Sequence, residues 1–127
     1  MQSTKTIIKT IYNRCYQFIE ESKDKIYCLF FNYYNIEPCG YCPVQAEGTL
    51  LTGEFYYFRS RGRTWSVRIG KDETSIWDKN RSWYYSETKY EEFAGGWISK
   101  REAVKNFNKA LEFYYNHNDL HSNNGSV

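Results

Sequence analysis

The sequence is poor in the residues on which most catalytic motifs depend. It has only two histidines, His117 and His121, and both lie in a polar C-terminal stretch. The usual base for a serine or cysteine nucleophile is therefore missing from the predicted core. The sequence also has no glycine-rich phosphate loop and no dinucleotide fingerprint. These features favour a binding module over an enzyme.

Long apolar runs and a strong net charge are also missing. No stretch approaches the roughly 20 apolar residues of a membrane span, and the N-terminus lacks the apolar run of a signal peptide. We therefore expect a cytoplasmic protein without membrane contact, in which cysteines stay reduced. The net charge of +2 is too small to attract nucleic acid over the whole surface. Any site for an anion must come from local clustering.

Aromatic residues are what the sequence has in excess. Thirteen Tyr, eight Phe and four Trp make up 20% of the 127 residues. A chain of this length is usually one domain, and a few large aromatic side chains can close its core. We predict a single compact domain over 1–115 and a polar, disordered tail over 116–127.

The first third of the chain predicts a helix, a strand and a loop. Thr4 to Ser22 has apolar residues at spacings of three and four, which is typical of an amphipathic helix. Ile26–Tyr34 is a dense apolar and aromatic run, and its β-favouring residues favour a buried strand. Asn35–Gly53 contains both prolines and three glycines, so we predict a long irregular connection. The predicted apolar stripe of the helix consists of Ile7, Ile8, Ile11, Cys15, Phe18 and Ile19.

The segment Glu54–Ile69 predicts a β-hairpin. With Arg61-Gly62 as a two-residue turn, Phe58 pairs with Trp65 and Tyr56 with Val67. This pairing places the four apolar residues on one face, as a core requires. The opposite face then carries Phe55, Tyr57, Arg59, Thr64, Ser66 and Arg68.

The last part of the chain predicts a further strand and a second helix. Asp72–Asp78 fits a helical turn or a short strand, and Arg81–Tyr85 fits a strand that could continue to Tyr90. Ala94-Gly95-Gly96 predicts a flexible corner, and Ser99 with Glu102 forms a capping-box pattern for a helix that ends near Tyr115. The inward residues of that helix are predicted to be Ala103, Val104, Phe107, Leu111 and Tyr114.

This order of elements predicts an α+β fold. We expect an antiparallel sheet of about four to five strands, with an N-terminal and a C-terminal helix packed on one face. A small barrel with flanking helices is the alternative.

Four cysteines form the first candidate site. Cys39 and Cys42 have the two-residue gap at which two thiolates bind one Zn²⁺, and Cys15 and Cys28 could complete four ligands. The alternative is that Cys15 and Cys28 pack as small apolar residues and Cys39 and Cys42 form only a loop pair. A thioredoxin-type redox site is disfavoured because no amphipathic helix follows the pair. No other cofactor is predicted.

Arginines and aromatic residues of the hairpin form the second candidate site. Guanidinium groups bind phosphates, and aromatic rings stack on bases. The alternative is a solvated face on which the arginines pair with Glu54, Glu87 or Glu91. The predicted ligand-binding residues are Phe55, Tyr57, Arg59, Arg61, Arg63 and Arg68.

Three functions remain open from the sequence. The leading hypothesis is a non-enzymatic protein that holds nucleic acid or a nucleotide on the hairpin face. The second is an inhibitor or adaptor that binds a protein, such as a counter-defence protein of a mobile element or phage. Surface Tyr and Trp favour it, because these residues dominate the binding energy of protein interfaces. The third is a small histidine-independent nuclease or nucleotide-cleaving enzyme that would use Arg81, Tyr84, Tyr85 and Glu87. A homodimer through the second face of the hairpin is also possible.

Overall fold

A computed structural model describes residues 3–125, with side chains up to residue 117, as two long helices and four strands. Two 3₁₀ turns, Ser75–Trp77 and Ala94–Trp97, flank the last strand. The predicted α+β class is confirmed, and no helix in this range is long and apolar enough to cross a membrane. The elements are α1 (Thr4–Phe31), β1 (Val44–Thr49), β2 (Phe55–Arg61), β3 (Thr64–Gly70), β4 (Ser82–Thr88) and α2 (Lys100–Gly125).

The hairpin forms as predicted, but its turn lies one residue further along. The turn residues are Gly62 and Arg63, so Phe58 pairs with Val67 and not with Trp65. Gly62 has a positive φ of 62°, which glycine adopts without strain at the first position of such a turn. Moving the turn by one residue changes each partner by two positions. Every side chain therefore stays on its predicted face.

The sheet is antiparallel with the order β1-β2-β3-β4, and α2 covers one of its faces. Alternate residues of the hairpin are buried on that face, and the central contact is Phe107 of α2. Its ring centre lies 4.8 Å from that of Tyr56 and 6.5 Å from that of Phe58. All five residues predicted to face inward on α2 are buried. The buried side chains from the hairpin are Tyr56, Phe58, Trp65, Val67 and Ile69.

The prediction of a strand over Ile26–Tyr34 is wrong, because α1 continues to Phe31. The polar residues between Ser22 and Lys25 do not end the helix. They bind across its turns, as in the ion pair between Lys23 and Glu20 at 3.3 Å. The apolar residues that follow occupy every side of the helix. In the sequence, such a run cannot be distinguished from a strand buried on both faces.

The long connection predicted over Asn35–Gly53 contains the edge strand β1. Val44 and Ala46 are buried, while Gln45 and Glu47 are exposed. This two-residue alternation was visible in the sequence, although Gln, Glu and Gly favour strands poorly. The connection is therefore much shorter than predicted.

The C-terminal helix begins as predicted and ends later. The Ser99 hydroxyl accepts a hydrogen bond from the Glu102 amide at 3.1 Å, which confirms the N-cap. The helix extends past Tyr115 to Gly125, because adding a turn to a formed helix costs much less than starting one. The division into a domain over 1–115 and a disordered tail over 116–127 stays a prediction.

The corner before α2 is packed rather than flexible. Gly95 and Gly96 are buried in the turn Ala94–Trp97. The Ser60 hydroxyl donates to the carbonyl oxygen of Gly95 at 2.7 Å, and the Gly95 amide donates to that of Gly62 at 2.7 Å. These bonds fasten the corner to the end of the hairpin, so the predicted flexibility is corrected.

Candidate functional site

The face of the sheet opposite α2 gathers the central part of the predicted site. In the register of the sheet, Tyr57 lies beside Arg68 and Arg68 lies beside Tyr84. Arg59 lies in the next row, beside Ser66. Strand alternation places all of these side chains on one side, away from the core. We call Tyr57, Arg59, Arg68, Trp77 and Tyr84 the outer face.

Arg68 is the centre of the outer face. Its guanidinium carbon lies 4.5 Å from the centre of the Tyr84 ring and 5.6 Å from that of Trp77. The Trp77 ring lies in turn 5.4 Å from that of Tyr57. Trp77 is 61% exposed and Tyr84 is 50% exposed, so ring surface remains open to a ligand. A stacked guanidinium keeps its N–H edges available for an anion.

The turn Ser75–Trp77 holds Trp77 over the sheet. Ile76 and Ser75 are buried beneath it, and the Ser75 amide donates to the Asp72 carboxylate at 2.8 Å. This hydrogen bond is the main cause that lowers the pKa of Asp72. The sequence did not assign Trp77 to the site, because a 3₁₀ turn has no apolar period that fixes the direction of its side chains.

The alternative interpretation, in which the arginines of this face pair with Glu54, Glu87 or Glu91, does not describe Arg59 and Arg68. Within the part of the chain whose side chains are described, no ion pair involves Arg59 or Arg68. Glu54 accepts hydrogen bonds from Thr52 and Tyr114 instead. Glu47, at the edge of the sheet in the row of Arg68, is the acid that the register brings closest.

The side chain of Glu87 lies on the opposite side of the sheet, which α2 covers. Its carboxylate lies 2.6 Å from Lys109 of α2 and accepts a hydrogen bond from the Tyr85 hydroxyl at 2.5 Å. Hydrogen bonds from Lys109 and Tyr85 lower the pKa of Glu87, and the bond to Glu87 raises the pKa of Tyr85 to about 12. Glu87 therefore stabilises the contact between β4 and α2.

The remaining predicted ligand-binding residues surround the outer face without joining its centre. Phe55 lies on the same face beside Gly70, two positions along β2 from Tyr57, and is half-buried. Arg61 ends β2 and is exposed. Arg63 occupies the turn, where its guanidinium lies 4.0 Å from the Glu92 carboxylate. These positions make Arg61 and Arg63 peripheral to the site.

The cysteines do not form the four-ligand site. Cys15 and Cys28 are thirteen residues apart on the single helix α1, which separates them by about 20 Å along its axis. One metal ion cannot bind both. Among the side chains that the structure describes, no group of three or more His, Cys, Asp or Glu residues is placed to hold a metal. Cys39 and Cys42 are exposed.

Cys28 and Cys39 line a cavity of about 500 Å³ between α1 and the loop before β1. Burial raises the pKa of the Cys28 thiol, so it packs there as a neutral group.

The four residues of the enzyme hypothesis do not converge. Tyr84 belongs to the outer face, whereas Tyr85 stacks on Phe113 of α2 at 5.1 Å. Glu87 faces α2 as well, since adjacent positions of β4 alternate between the two sides of the sheet. The sequence could have shown this, because Tyr84 and Tyr85 are neighbours in a strand.

A partly buried polar cluster between the end of β4 and α2 was not predicted, and Asn106 is its buried member. Lys89 lies 2.7 Å from the Glu102 carboxylate and donates to the Asn106 side chain at 3.0 Å. Tyr90 donates to Glu102 at 2.9 Å and accepts from Asn106 at 2.6 Å. Burial raises the pKa of Tyr90. Each member of the cluster has a partner, which is typical of a structural network.

The charge of Glu102 depends on its neighbours. Burial raises the pKa of its carboxyl group, but the hydrogen bonds from Lys89 and Tyr90 and the charges of Lys89 and Lys105 outweigh that effect. The pKa of Glu102 is therefore lowered overall, and the ionised form is the stable one in the fold.

Comparison with known proteins gives no family for this fold and site. No family model, no curated protein and no solved structure matches the chain.

Proposed function

We propose that the outer face binds an anionic partner, and that a single-stranded nucleic acid or a nucleotide fits it best. The observation that carries this proposal is the guanidinium of Arg68, which lies over the rings of Tyr84 and Trp77 on an open sheet face and has no ion pair among the described side chains. Bases would stack on the exposed rings, and phosphates would contact Arg68 and Arg59. This function requires no catalytic group and suits a cytoplasmic protein.

The test removes both central arginines at once. The double variant Arg59→Gln/Arg68→Gln should lose most of its affinity for a fluorescent single-stranded oligonucleotide at low salt, while its circular dichroism spectrum stays unchanged. Binding of the unmodified protein should weaken steadily as salt increases, because each phosphate contact releases counterions. Unchanged affinity of the double variant in low salt would reject the proposal.

A matched control separates the site from charge in general. The double variant Lys9→Gln/Arg14→Gln removes the same charge from exposed positions of α1, far from the sheet. We expect it to bind the oligonucleotide within about twofold of the unmodified protein. An equal loss in both double variants would show that binding is not specific to the outer face.

A second function, an inhibitor or adaptor that binds a protein, is favoured by a separate observation. Tyr41 and Trp97 stack on each other at 5.1 Å, and both are exposed. Exposed aromatic pairs of this kind are common centres of protein interfaces. Co-purification of a stable protein partner that Trp97→Ala releases, without any retention on nucleic acid, would favour this second function.

A further inference from the structure

The N-terminal helix presents an apolar face that nothing in the described structure covers. No described residue of α1 is fully buried. Large apolar side chains follow the helix from its first turn to its last, and the five largest of the central row are 50–79% exposed. That row, together with the exposed Cys15, consists of Ile8, Tyr12, Cys15, Ile19, Ile26 and Leu29, and we call it the stripe.

The stripe points away from the rest of the protein. The contacts of α1 with α2 come from its other side, where Glu20 and Asp24 bind Arg101 at 2.5 and 2.7 Å and Tyr27 lies 5.2 Å from the Lys105 ammonium. At 3.6 residues per turn, that side lies about 140° around the helix from the stripe. The domain could cover the stripe only by turning α1 and breaking these contacts.

The spacing of the stripe is that of a coiled coil. From Ile8 to Leu29 its members alternate at intervals of four and three residues, with Ser22 filling one further position. This heptad pattern persists over three repeats, which is the length at which it indicates a coiled coil. Because the domain lies on the opposite side of α1, two copies could pair along the stripe with both domains outside.

The exposed area is large enough for a stable pair. Nine large apolar side chains of α1 on the stripe or at the positions that flank it are exposed by half or more. At roughly 100 Å² each, they amount to about 900 Å² per copy. Monomeric proteins rarely expose a continuous apolar patch beyond a few hundred Å². A standard interface buries about 800 Å² per partner.

Charge and shape favour a parallel pair of identical helices. In a parallel pair, the flanking positions would bring Ile11 beside Tyr16, Phe18 beside Lys23 and Lys25 beside Phe30, with no like charges together. In the central antiparallel arrangement, in which the two helices run in opposite directions and their stripes overlap most fully, Lys9 would face Lys23 of the other copy. These like charges would repel each other.

We propose that α1 pairs with α1 of a second copy of this chain, along the stripe, as a parallel two-helix coiled coil. The proposal is independent of the outer face, which lies on the sheet.

The first experiment measures the mass of the full chain by sedimentation equilibrium at micromolar concentration. We expect twice the chain mass of 15.3 kDa. The double variant Ile8→Glu/Ile19→Glu should sediment as a monomer. At each of the two positions, a buried carboxylate would face the same carboxylate of the other copy. The control Thr10→Glu/Asn13→Glu places the same charges on the polar side of α1 and should remain a dimer.

The near-ultraviolet circular dichroism spectrum of each variant shows whether the aromatic core is intact. A monomeric unmodified protein, or a dimer that survives Ile8→Glu/Ile19→Glu with its core intact, would overturn the proposal. A monomer that binds anionic phosphatidylserine vesicles through the stripe would also overturn it, since the stripe would then be a membrane-surface face.

The second experiment tests the direction of the helices. In a chain with its four cysteines changed to serine, Leu29→Cys places one thiol on the stripe. In the parallel pair, the two thiols lie side by side, so a short bis-maleimide should link the chains. In the central antiparallel pair they would lie about 36 Å apart. A dimer that the reagent fails to link would overturn the parallel arrangement.

Discussion

The guanidinium of Arg68 stacks on the ring of Tyr84, its partner across β3 and β4, with 4.5 Å between the guanidinium carbon and the ring centre. Strand pairing fixes the positions of both residues, and the guanidinium carbon also lies 5.6 Å from the centre of the Trp77 ring. The cation is therefore oriented before any ligand arrives. Orientation of this kind reduces the entropy that a ligand must overcome on binding.

The first prediction separates stacking from charge. Arg68→Lys keeps the positive charge but loses the planar group that lies on Tyr84 and offers two N–H edges to a phosphate. We expect affinity for a single-stranded oligonucleotide to fall about tenfold, in fluorescence anisotropy at low salt. Arg63→Lys, in the hairpin turn, is the control and should change affinity less than twofold. Equal effects of the two variants would contradict the stacking role of Arg68.

The second prediction concerns Trp77, whose ring is 61% exposed at the edge of the outer face. A base that stacks on this ring should quench its fluorescence, so adding a nucleotide or oligonucleotide should reduce tryptophan emission. Trp77→Phe should remove most of that change, and Trp97→Phe should preserve it. If the change follows Trp97 instead, the ligand binds near the exposed Tyr41–Trp97 pair.

The hairpin and α2 were predictable because their apolar periods are regular. The two-residue period of β2 and β3 specifies the faces even when the turn is misplaced by one residue, since the error preserves the alternation. The same reasoning placed Arg59 and Arg68 together on one side. Periodicity therefore identifies the hairpin residues of the outer face, Tyr57, Arg59 and Arg68.

The second half of α1 and the role of Trp77 were not predictable in this way. Residues from Ile26 to Phe31 are apolar on every side of the helix, because one side meets α2 and the opposite side carries the stripe. A run without a period does not distinguish helix from strand. Trp77 reaches the sheet from a 3₁₀ turn, so its position depends on tertiary packing that no local pattern encodes.

The third prediction tests the packed corner. A methyl group on Gly95 would lie 2.8 Å from the carbonyl oxygen of Gly62, and a backbone atom cannot move aside easily. We expect Gly95→Ala to lower the free energy of unfolding in urea by about 1–3 kcal/mol. Ala94→Ser, at the exposed position before it, should cost less than about 0.5 kcal/mol. A Gly95→Ala protein with unchanged stability would contradict the close approach of the corner to the hairpin.

The fourth prediction tests how α1 is attached to the domain. Arg101 of α2 donates to Asp24 from Nε and to Glu20 from Nη2, and so joins the two helices. Arg101→Gln removes both ion pairs, and we expect faster amide hydrogen exchange from residue 20 to residue 31, with the sheet unchanged. Lys23→Gln is the control, because Lys23 pairs with Glu20 within α1 alone. Equal exchange in Arg101→Gln and the unmodified protein would show that other contacts hold the helix.

The fifth prediction uses pH to test the polar cluster around Glu102. The fold lowers the pKa of this carboxyl group below its ordinary value of 4.5. Its ionised form therefore stabilises the fold at neutral pH, and this contribution is lost as the pH falls below 4.5 through the lowered pKa. Glu102→Gln should reduce the free energy of unfolding by about 1 kcal/mol at pH 7, and the difference should shrink in acid.

Urea denaturation at several pH values from 7 to about 3 would measure both proteins. Glu112→Gln, exposed on the same helix, is the control and should leave the pH dependence unchanged. The sign of the effect is decisive. A difference between Glu102→Gln and the unmodified protein that grows in acid would mean that Glu102 is stabilised in its protonated form. Burial, rather than the contacts of Glu102 with Lys89 and Tyr90, would then determine its charge.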